Sequence, residues 1–430
     1  MSATNQNTVT SGPIQISPNH RYFVDAKGQP FFWLGDTSWP LFSKYTQAEA
    51  EKYLQNRADK GFTVIQAVLV SGAPDAFGSE AETSRPNAAG DKPWLDNDPT
   101  RPNDAYFRHV DDLVQFAAQR GMVMAVLPVW GSLVNQAKTL NPTNARTYGR
   151  WLGKRYKDQP NIVWVNGGDR EPLGCEETYR DLALGLREGD GGAHLITFHP
   201  CGTPRSSSQF WHNEDWLDFN MIETWMDWFR IYSMVQTDLL MVPPKPVVLS
   251  EPAYEDGPEY PLGPITPQVM RRQAWWTFMA GGFFTYGQNQ MWRMEPGWID
   301  TALDTPGASQ MTQFKAIANL RPWWKMIPDQ SFFASGIGSE RTLNTALRTL
   351  DRACAMLYFS SACHALVTLD IIATKRVRAT WVNPLDSTQL DGGEYDTGNG
   401  KEGAVFPSST THWFTTPPRW EDAVLILDGC

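Results

Sequence analysis

The chain has 430 residues, enough for one large domain and a smaller one with a sizeable buried core. Its 37 basic and 47 acidic residues give a formal net charge of -10, which argues against nucleic acid or an anionic membrane as the main partner, because phosphate binding needs clustered lysine and arginine. The 19 tryptophans favour a carbohydrate partner, since indoles stack on sugar rings, although core packing is their commoner role.

The cysteines and the N-terminus bear on the compartment. Five cysteines without a CxxC pair indicate neither a zinc site nor a disulfide scaffold. Cys354 and Cys363 could pair in an oxidising compartment, and unpaired thiols are the alternative. The leader over residues 1–19 is polar and lacks the apolar core of a secretory signal, and no later stretch has the roughly 18 apolar residues of a membrane span. We expect a cytoplasmic protein, or a secreted one whose leader has been removed.

The first elements after the leader are a hairpin and a buried strand. Residues 21–36 predict this hairpin, which runs into a strand that ends at Asp36. Thr46 and Glu49 have the spacing of a capping box at the start of a helix, and Gly61 marks the end of that helix.

The middle of the chain continues to alternate between buried strands and amphipathic helices. Segment 71–103 is rich in Pro, Gly and Asp and long for a loop, so we expect it to line a substrate cleft. Further strands are predicted over 62–70, 122–130, 161–169, 194–200, 219–225, 246–251 and 282–287. Eight strands with helices between most of them predict a (β/α)8 barrel over 20–327 rather than a doubly wound sheet. The first strand is not followed by a GxGxxG or GxxxxGK[ST] motif, which weakens nucleotide-binding alternatives.

The pattern changes near residue 328. Short alternating strands with turn residues follow, over 354–360, 365–369, 377–383 and 423–427. They predict a small antiparallel β-sandwich domain over 328–430.

Two of the predicted barrel strands end in a carboxylate. The run 161–169 ends in Asp169 after two glycines, and the run 245–251 ends in Glu251. The C-termini of all barrel strands open on one face, so these two acids should converge there. A pair of carboxylates is what glycoside hydrolysis requires, and this mechanism needs no metal or other cofactor. A salt bridge or a helix cap is the structural alternative for each acid.

Other residues near strand ends are candidates for substrate binding. Glu223 ends the sixth strand and is the main rival for the acid role, and His199 ends the fifth strand and could donate to a sugar hydroxyl or modulate the pKa of the acid. Asp36 could accept from a sugar hydroxyl or make a structural hydrogen bond. Tyr254 could orient Glu251 or simply begin a loop. The remaining candidates are tryptophans, for which core packing is the alternative: Trp39, Trp130, Trp225 and Trp292.

Several motifs make the chain similar to a known family. The chain resembles the apiosidase-like (β/α)8-barrel proteins, glycoside hydrolase family 140 and its relatives. The resemblance rests on Leu34-Gly35-Asp36-Thr37-Ser38-Trp39, Lys60-Gly61-Phe62-Thr63-Val64-Ile65-Gln66, Trp164-Val165-Asn166-Gly167-Gly168-Asp169 and Ser250-Glu251-Pro252-Ala253-Tyr254-Glu255. Segments 377–384 and 414–418 resemble the collagen-binding-type β-domain that often follows such barrels.

The resemblance implies a retaining, exo-acting glycosidase. Asp169 would be the acid/base and Glu251 the nucleophile. The sixth-strand segment Glu223-Thr224-Trp225 departs from the apiosidase pattern, so apiose and another small pentose or deoxy sugar both stay open. An endo-acting glucanase and a non-catalytic carbohydrate-binding barrel are the alternative functions.

Overall fold

A computed structural model describes residues 12–77, 81–258, 260, 263–399 and 410–430. The expectation for the polar leader falls mostly on residues outside these ranges. None of the helices in the described ranges is long and apolar enough to cross a membrane.

A nearly closed, mainly parallel barrel forms the larger part of the molecule, as predicted. In chain order its first to eighth strands are Leu34–Thr37, Val64–Val68, Val123–Leu127, Ile162–Gly167, Ile196–His199, Asn220–Glu223, Val247–Glu251 and Phe283–Tyr286. Every residue of these strands is buried, because helices cover the outside of the sheet and side chains fill the inside. This two-sided burial explains why the strands are continuous apolar runs that end abruptly in polar residues.

The sheet is completed between its fifth and sixth strands by isolated hydrogen bonds. Ladder pairing runs continuously from the fifth strand back to the first and on to the eighth, seventh and sixth, and a short ninth strand, Arg205–Ser206, pairs antiparallel with the sixth. Across the remaining gap, the Asp218 amide donates to the Ile196 carbonyl at 2.8 Å and the Thr197 hydroxyl donates to the Phe219 carbonyl at 2.6 Å. The fifth and sixth strand ends are thereby held together.

Helices follow most of the strands. They are Gln47–Asp59, Asp104–Ala118, Ser132–Asn135, Ala145–Tyr156, Glu176–Asp190, Ser208–Trp211, Ile231–Leu239, Pro267–Met279, Asn289–Arg293, Trp298–Thr301 and Pro306–Ala318. The capping box at Thr46 is confirmed, since its side chain accepts from the Glu49 amide and the Glu49 carboxylate accepts from the Thr46 amide. The last barrel helix ends at Ala318, and a 3₁₀ turn, Trp323–Lys325, leads into the second domain.

Two antiparallel sheets follow the barrel and share one apolar core. The six-stranded sheet comprises Met326–Pro328, Thr345–Thr349, Cys354–Phe359, Ala423–Gly429, Arg376–Val382 and Gln389–Asp396. The three-stranded sheet comprises Phe333–Ser335, His364–Thr368 and Thr411–Thr415. Buried side chains of both sheets, such as Leu357 and Phe414, belong to a single cluster. None of the five cysteines forms a disulfide, so the pairing of Cys354 with Cys363 is wrong and the alternative of unpaired thiols holds.

A buried ion pair joins the two units. Arg271, on the barrel helix Pro267–Met279, contacts Asp422 at 2.8 Å, and both side chains are almost fully buried. Tyr358 donates to the same carboxylate at 2.9 Å, and its ring stacks on Trp275 with centroids 5.5 Å apart. The ion pair, the hydrogen bond and the ring stack together pack the β-domain against the barrel helix.

Candidate active site

Asp169 follows the fourth strand on a sharply turned backbone. Gly167, Gly168 and Asp169 have φ angles of 90°, 112° and 51°. A Cβ atom on Gly167 would lie 2.2 Å from the His199 carbonyl oxygen, and one on Gly168 would lie 2.8 Å from the Trp130 ring. Only glycine combines positive φ with such close approach. The two glycines therefore turn Asp169 into the barrel mouth.

Glu223 and Glu251 face each other from neighbouring strands because of a β-bulge. The sixth and seventh strands pair with Ile222 opposite Leu249, and the register then shifts so that Glu223 lies opposite Glu251. Ser250 is the extra residue, and its hydroxyl donates to the Ile222 carbonyl at 2.9 Å. Bulges of this kind re-aim side chains at the rim of a barrel. Both glutamates consequently point to the same side.

His199 lies between the three acids. Its Nε2 is 3.2 Å from Glu251 Oε2, and its Nδ1 is 3.6 Å from Asp169 Oδ1 and 3.8 Å from Glu223 Oε2. Nδ1 is also 2.9 Å from the Pro200 carbonyl oxygen, which can only accept, so Nδ1 carries a proton and donates it there. The contact with Glu251 then needs a second proton, held by the imidazole or by the carboxyl group.

The electrostatics of the cluster separate the roles of its members. Burial, followed by the charge of Glu251, raises the pKa of Asp169 to about 7, while His199 and Arg170 oppose this rise. Burial and the charges of Asp169 and Glu251 hold the pKa of Glu223 well above its usual value. Burial disfavours the charged form of His199, but the hydrogen bond and charge of Glu251 outweigh it and raise the His199 pKa. His199 therefore holds a second proton more firmly than a free imidazole does.

The same four side chains have the donor types of a metal site. One donor atom from each of Asp169, His199, Glu223 and Glu251 lies within 4.8 Å of the other three, the one group of this kind found among the described residues. The Asp169 and Glu223 carboxyl groups are neighbours in this group, and His199 Nδ1 is bonded to the Pro200 carbonyl. Asp169 Oδ1, His199 Nε2, Glu223 Oε2 and Glu251 Oε2 are buried without a hydrogen-bond partner among the described residues, so protons can be held between the members of the cluster, and we assign the group to proton transfer.

Tyr254 and Trp39 support Glu251 from behind. The Trp39 indole donates to the Tyr254 hydroxyl at 2.9 Å, and Glu251 is the acid that acts on this hydroxyl. Burial and the neighbouring carboxylate hold the pKa of Tyr254 well above its usual value, so its hydroxyl keeps its proton. A protonated hydroxyl beside Glu251 is a donor suited to orienting the carboxylate.

A cavity of about 890 Å³ opens above the cluster. Asp169, Glu223 and Glu251 line it together with the predicted Trp39, Trp130, Trp225 and Trp292. Trp225 and Trp292 are partly exposed, whereas Trp39 and Trp130 are 2% and 1% exposed and form its floor. The segment 74–77 and Arg85 line one wall, as expected for the long loop after the second strand. Trp225 and Trp292 thus remain the candidate stacking surfaces.

Three predicted substrate-binding residues do not line the cavity. Asp36 is fully buried outside it and accepts from Arg57 at 2.5 Å and Tyr53 at 2.7 Å, so its position is structural, with these two side chains as partners rather than the predicted turn at Thr37–Trp39. His199 is also fully buried, and Tyr254 is 3% exposed. Each contacts Glu251 instead of the open cavity, so both act on the acids rather than on the sugar.

Other residues of the site were not foreseen from the sequence. Gly202 touches Glu223 so closely that a Cβ atom there would lie 2.3 Å from Glu223 Oε1. Four cationic side chains also line the cavity: Lys44, Arg85, Arg170 and Arg293. Arg293 ends the short helix Asn289–Arg293 and the other three lie in irregular segments, and a lysine or arginine in such a position is too common to single out. A smaller cavity of about 440 Å³, lined by Tyr22, Phe283 and Trp323, has no carboxylate among its described lining residues.

Comparisons with known proteins agree with this geometry. The model of the family "Apiosidase-like, catalytic domain" matches residues 17–325, and that of "Putative collagen-binding domain of a collagenase" matches residues 327–428. A solved glycoside hydrolase is 28% identical over 97% of both chains, with a TM-score of 0.85. A glycoside hydrolase family 5 protein from Bacteroides vulgatus is 27% identical over 97% of this chain and 94% of its own, with a TM-score of 0.84. No curated protein matches the chain.

The family match spans most of the chain and coincides with the barrel that carries the acid cluster. The solved glycoside hydrolases share both the barrel and the β-domain over nearly their whole length. The chain is therefore a glycoside hydrolase that belongs to the apiosidase-like family.

Proposed function

We propose that the protein is a retaining, exo-acting glycoside hydrolase. It removes a terminal sugar, apiose or another small pentose or deoxy sugar, from a glycoside or a plant cell-wall oligosaccharide. Asp169 protonates the glycosidic oxygen while Glu251 attacks the anomeric carbon, so the aglycone leaves and a glycosyl ester forms. Asp169 then takes a proton from water, which attacks the anomeric carbon and releases Glu251.

The closeness of the two carboxylates carries this proposal. An oxygen of Asp169 and an oxygen of Glu251 lie within 4.8 Å of each other. Retaining enzymes have carboxyl groups about 5–5.5 Å apart, whereas inverting enzymes need about 6.5–9.5 Å to fit a water molecule. This proximity supports the retaining arrangement.

Exposure favours Asp169 over Glu223 as the acid. The side chain of Asp169 is 33% exposed, and that of Glu223 is 4% exposed. A general acid must reach the leaving-group oxygen. A pKa of about 7 also keeps a large fraction of Asp169 protonated near neutral pH.

The shape of the cavity favours a terminal sugar. Its lining residues follow all eight barrel strands, from Trp39 and Lys44 after the first to Arg293 and Glu295 after the eighth. A pocket walled on every side holds the end of a chain more readily than its middle. An endo-acting enzyme is the second candidate, and the size of the first products separates the two, because exo action releases monosaccharide from the start.

Activity on a panel of nitrophenyl pentosides and hexosides identifies the sugar, and proton NMR of the first product shows its anomer. We expect retention of configuration and no activity for Glu251→Gln. Asp169→Asn should lose about 10²–10⁴-fold in activity on poor leaving groups but far less on nitrophenyl leaving groups. Glu177→Gln, on the exposed face of the helix Glu176–Asp190 and outside the cavity lining, is the matched control and should keep kcat. An inverted product, or turnover by Glu251→Gln, would refute the proposal.

A further inference from the structure

The cluster holds one carboxylate more than double displacement uses. Asp169 and Glu251 account for acid, base and nucleophile, which leaves Glu223 without a step. Burying a third acid beside two others is costly unless it has a partner or stays protonated. Its position therefore calls for a role.

The surroundings of Glu223 hold its carboxyl group in one place. Its side chain is 4% exposed, and Gly202 lies so close that a Cβ atom there would be 2.3 Å from Glu223 Oε1. The bulge before Glu223 places it opposite Glu251, and the amide of the next residue, Thr224, donates to the Glu251 carbonyl at 3.0 Å. Glu223 is thus enclosed and does not reach the leaving group.

His199 does not donate a hydrogen bond to Asp169 or Glu223. Its Nδ1 donates to the Pro200 carbonyl, and the distances from Nδ1 to Asp169 and Glu223, 3.6 Å and 3.8 Å, are too long for hydrogen bonds. Asp169 Oδ1 and Glu223 Oε2 are buried and have no donor among the described residues. Two carboxyl groups can hydrogen-bond to each other only if one of them carries a proton.

We propose that Glu223 is a positioning residue, which stays protonated throughout the catalytic cycle and donates a hydrogen bond to the inner oxygen of Asp169. The inference rests on the proposed function and assigns a further residue to it. In the first step this bond turns the other oxygen of Asp169, with its proton, towards the glycosidic oxygen. After that proton has left, the same bond becomes charge-assisted and stabilises the Asp169 carboxylate until it acts as base.

The charges around Glu223 favour a carboxyl group that stays protonated. Asp169 approaches from the fourth strand, Cys201 and His199 from the fifth and Glu251 from the seventh. Arg205, which pairs with Glu223 through the backbone, directs its guanidinium to Glu171 at 3.0 Å. Asp169 therefore ionises before Glu223 does, since it is the more exposed of the two.

The variant Glu223→Gln tests whether Glu223 is protonated or ionised in the enzyme. An amide has the shape of the protonated acid and can still donate to Asp169, so we expect kcat to fall by less than tenfold and the basic limb of kcat/KM to move by less than about 0.3 pH units. If Glu223 is itself the acid, the variant loses activity on poor leaving groups as Asp169→Asn does. If Glu223 is ionised, the basic limb moves down by about one pH unit or more, because a negative neighbour of Asp169 is lost. Either result overturns the proposal.

Two further variants remove the bond in different ways. Glu223→Ala deletes the donor, and Gly202→Ala places a Cβ atom where Glu223 Oε1 lies, so the intact carboxyl group must move. We expect both to lose about 10–100-fold in kcat on poor leaving groups, because Asp169 is no longer held with its proton towards the glycosidic oxygen. Full activity of both variants would refute the role. Should Glu223→Ala fail to fold, the other two variants still decide, and an active Glu251→Gln would instead refute the underlying function.

Discussion

Asp169 meets two requirements that usually conflict. It is exposed enough to reach a substrate, yet burial and the charge of Glu251 raise its pKa to about 7. The imidazole of His199 and the nearby Arg170 limit that rise, so the group can both give and take a proton near neutral pH. The residue is tuned by what surrounds it, because an isolated aspartate would be ionised far below this pH.

The raised pKa of Asp169 predicts a stability cost at high pH. The folded protein binds this proton more tightly than the unfolded chain does, so the contribution of Asp169 to stability is largest below pH 4 and declines as pH rises towards 7. Asn cannot ionise and avoids this loss. We therefore expect Asp169→Asn to raise the melting temperature at pH 8 by a few degrees and to raise it less at pH 5, as measured by calorimetry. An equal effect at both pH values would contradict the shift.

At the scale of elements, the ends of the strands matter more than their middles. The glycine turn after the fourth strand and the bulge between the sixth and seventh strands each redirect one or two carboxyl groups. Both are local departures from regular geometry, which are enriched near active sites. They convert three strand ends into one cluster.

Gly167→Ala tests the turn after the fourth strand. The new Cβ atom would clash with the His199 carbonyl in a backbone with φ of 90°, so we expect stability to fall by about 2 kcal/mol or more and kcat by about 100-fold, since a shift of about 1 Å suffices for that. Gly174→Ala is the control, because Gly174 has φ of 75° but open space around its Cβ position. It should cost about 1–2 kcal/mol and leave kcat unchanged in a steady-state assay.

On the scale of the whole molecule, the β-domain is joined to the barrel by a buried charge network. Arg271 also donates to Gln310 at 2.7 Å, so its guanidinium is bound on both sides of the junction. Buried ion pairs contribute little net stability when complete but are costly to break. The network therefore makes the two units unfold together.

Asp422→Ala should break this network. It leaves Arg271 without its buried partner and Tyr358 without its acceptor, so we expect a loss of about 3 kcal/mol or more in urea denaturation. Asp428→Ala removes an ion pair with Arg321 that is about one third exposed, and should cost no more than about 1 kcal/mol. Equal losses would mean that burial does not govern these pairs.

The sequence by itself determined the order of elements, the two-part organisation and the two strand-end acids. Continuous apolar runs specify buried strands, and an acid at the end of such a run has few positions available to it in a barrel. The motifs around Asp36, Asp169 and Glu251 also identified the family, although Asp36 forms a buried ion pair with Arg57 and does not line the cavity.

Only the tertiary structure decided how these acids act together. The bulge that aligns Glu223 with Glu251, the contact of His199 with Glu251 and the contact of Gly202 with Glu223 all depend on segments that are distant along the chain. A sequence specifies which side chains are available, but pKa values and hydrogen-bond partners follow from distances of a few ångströms, which exist only once the barrel has closed.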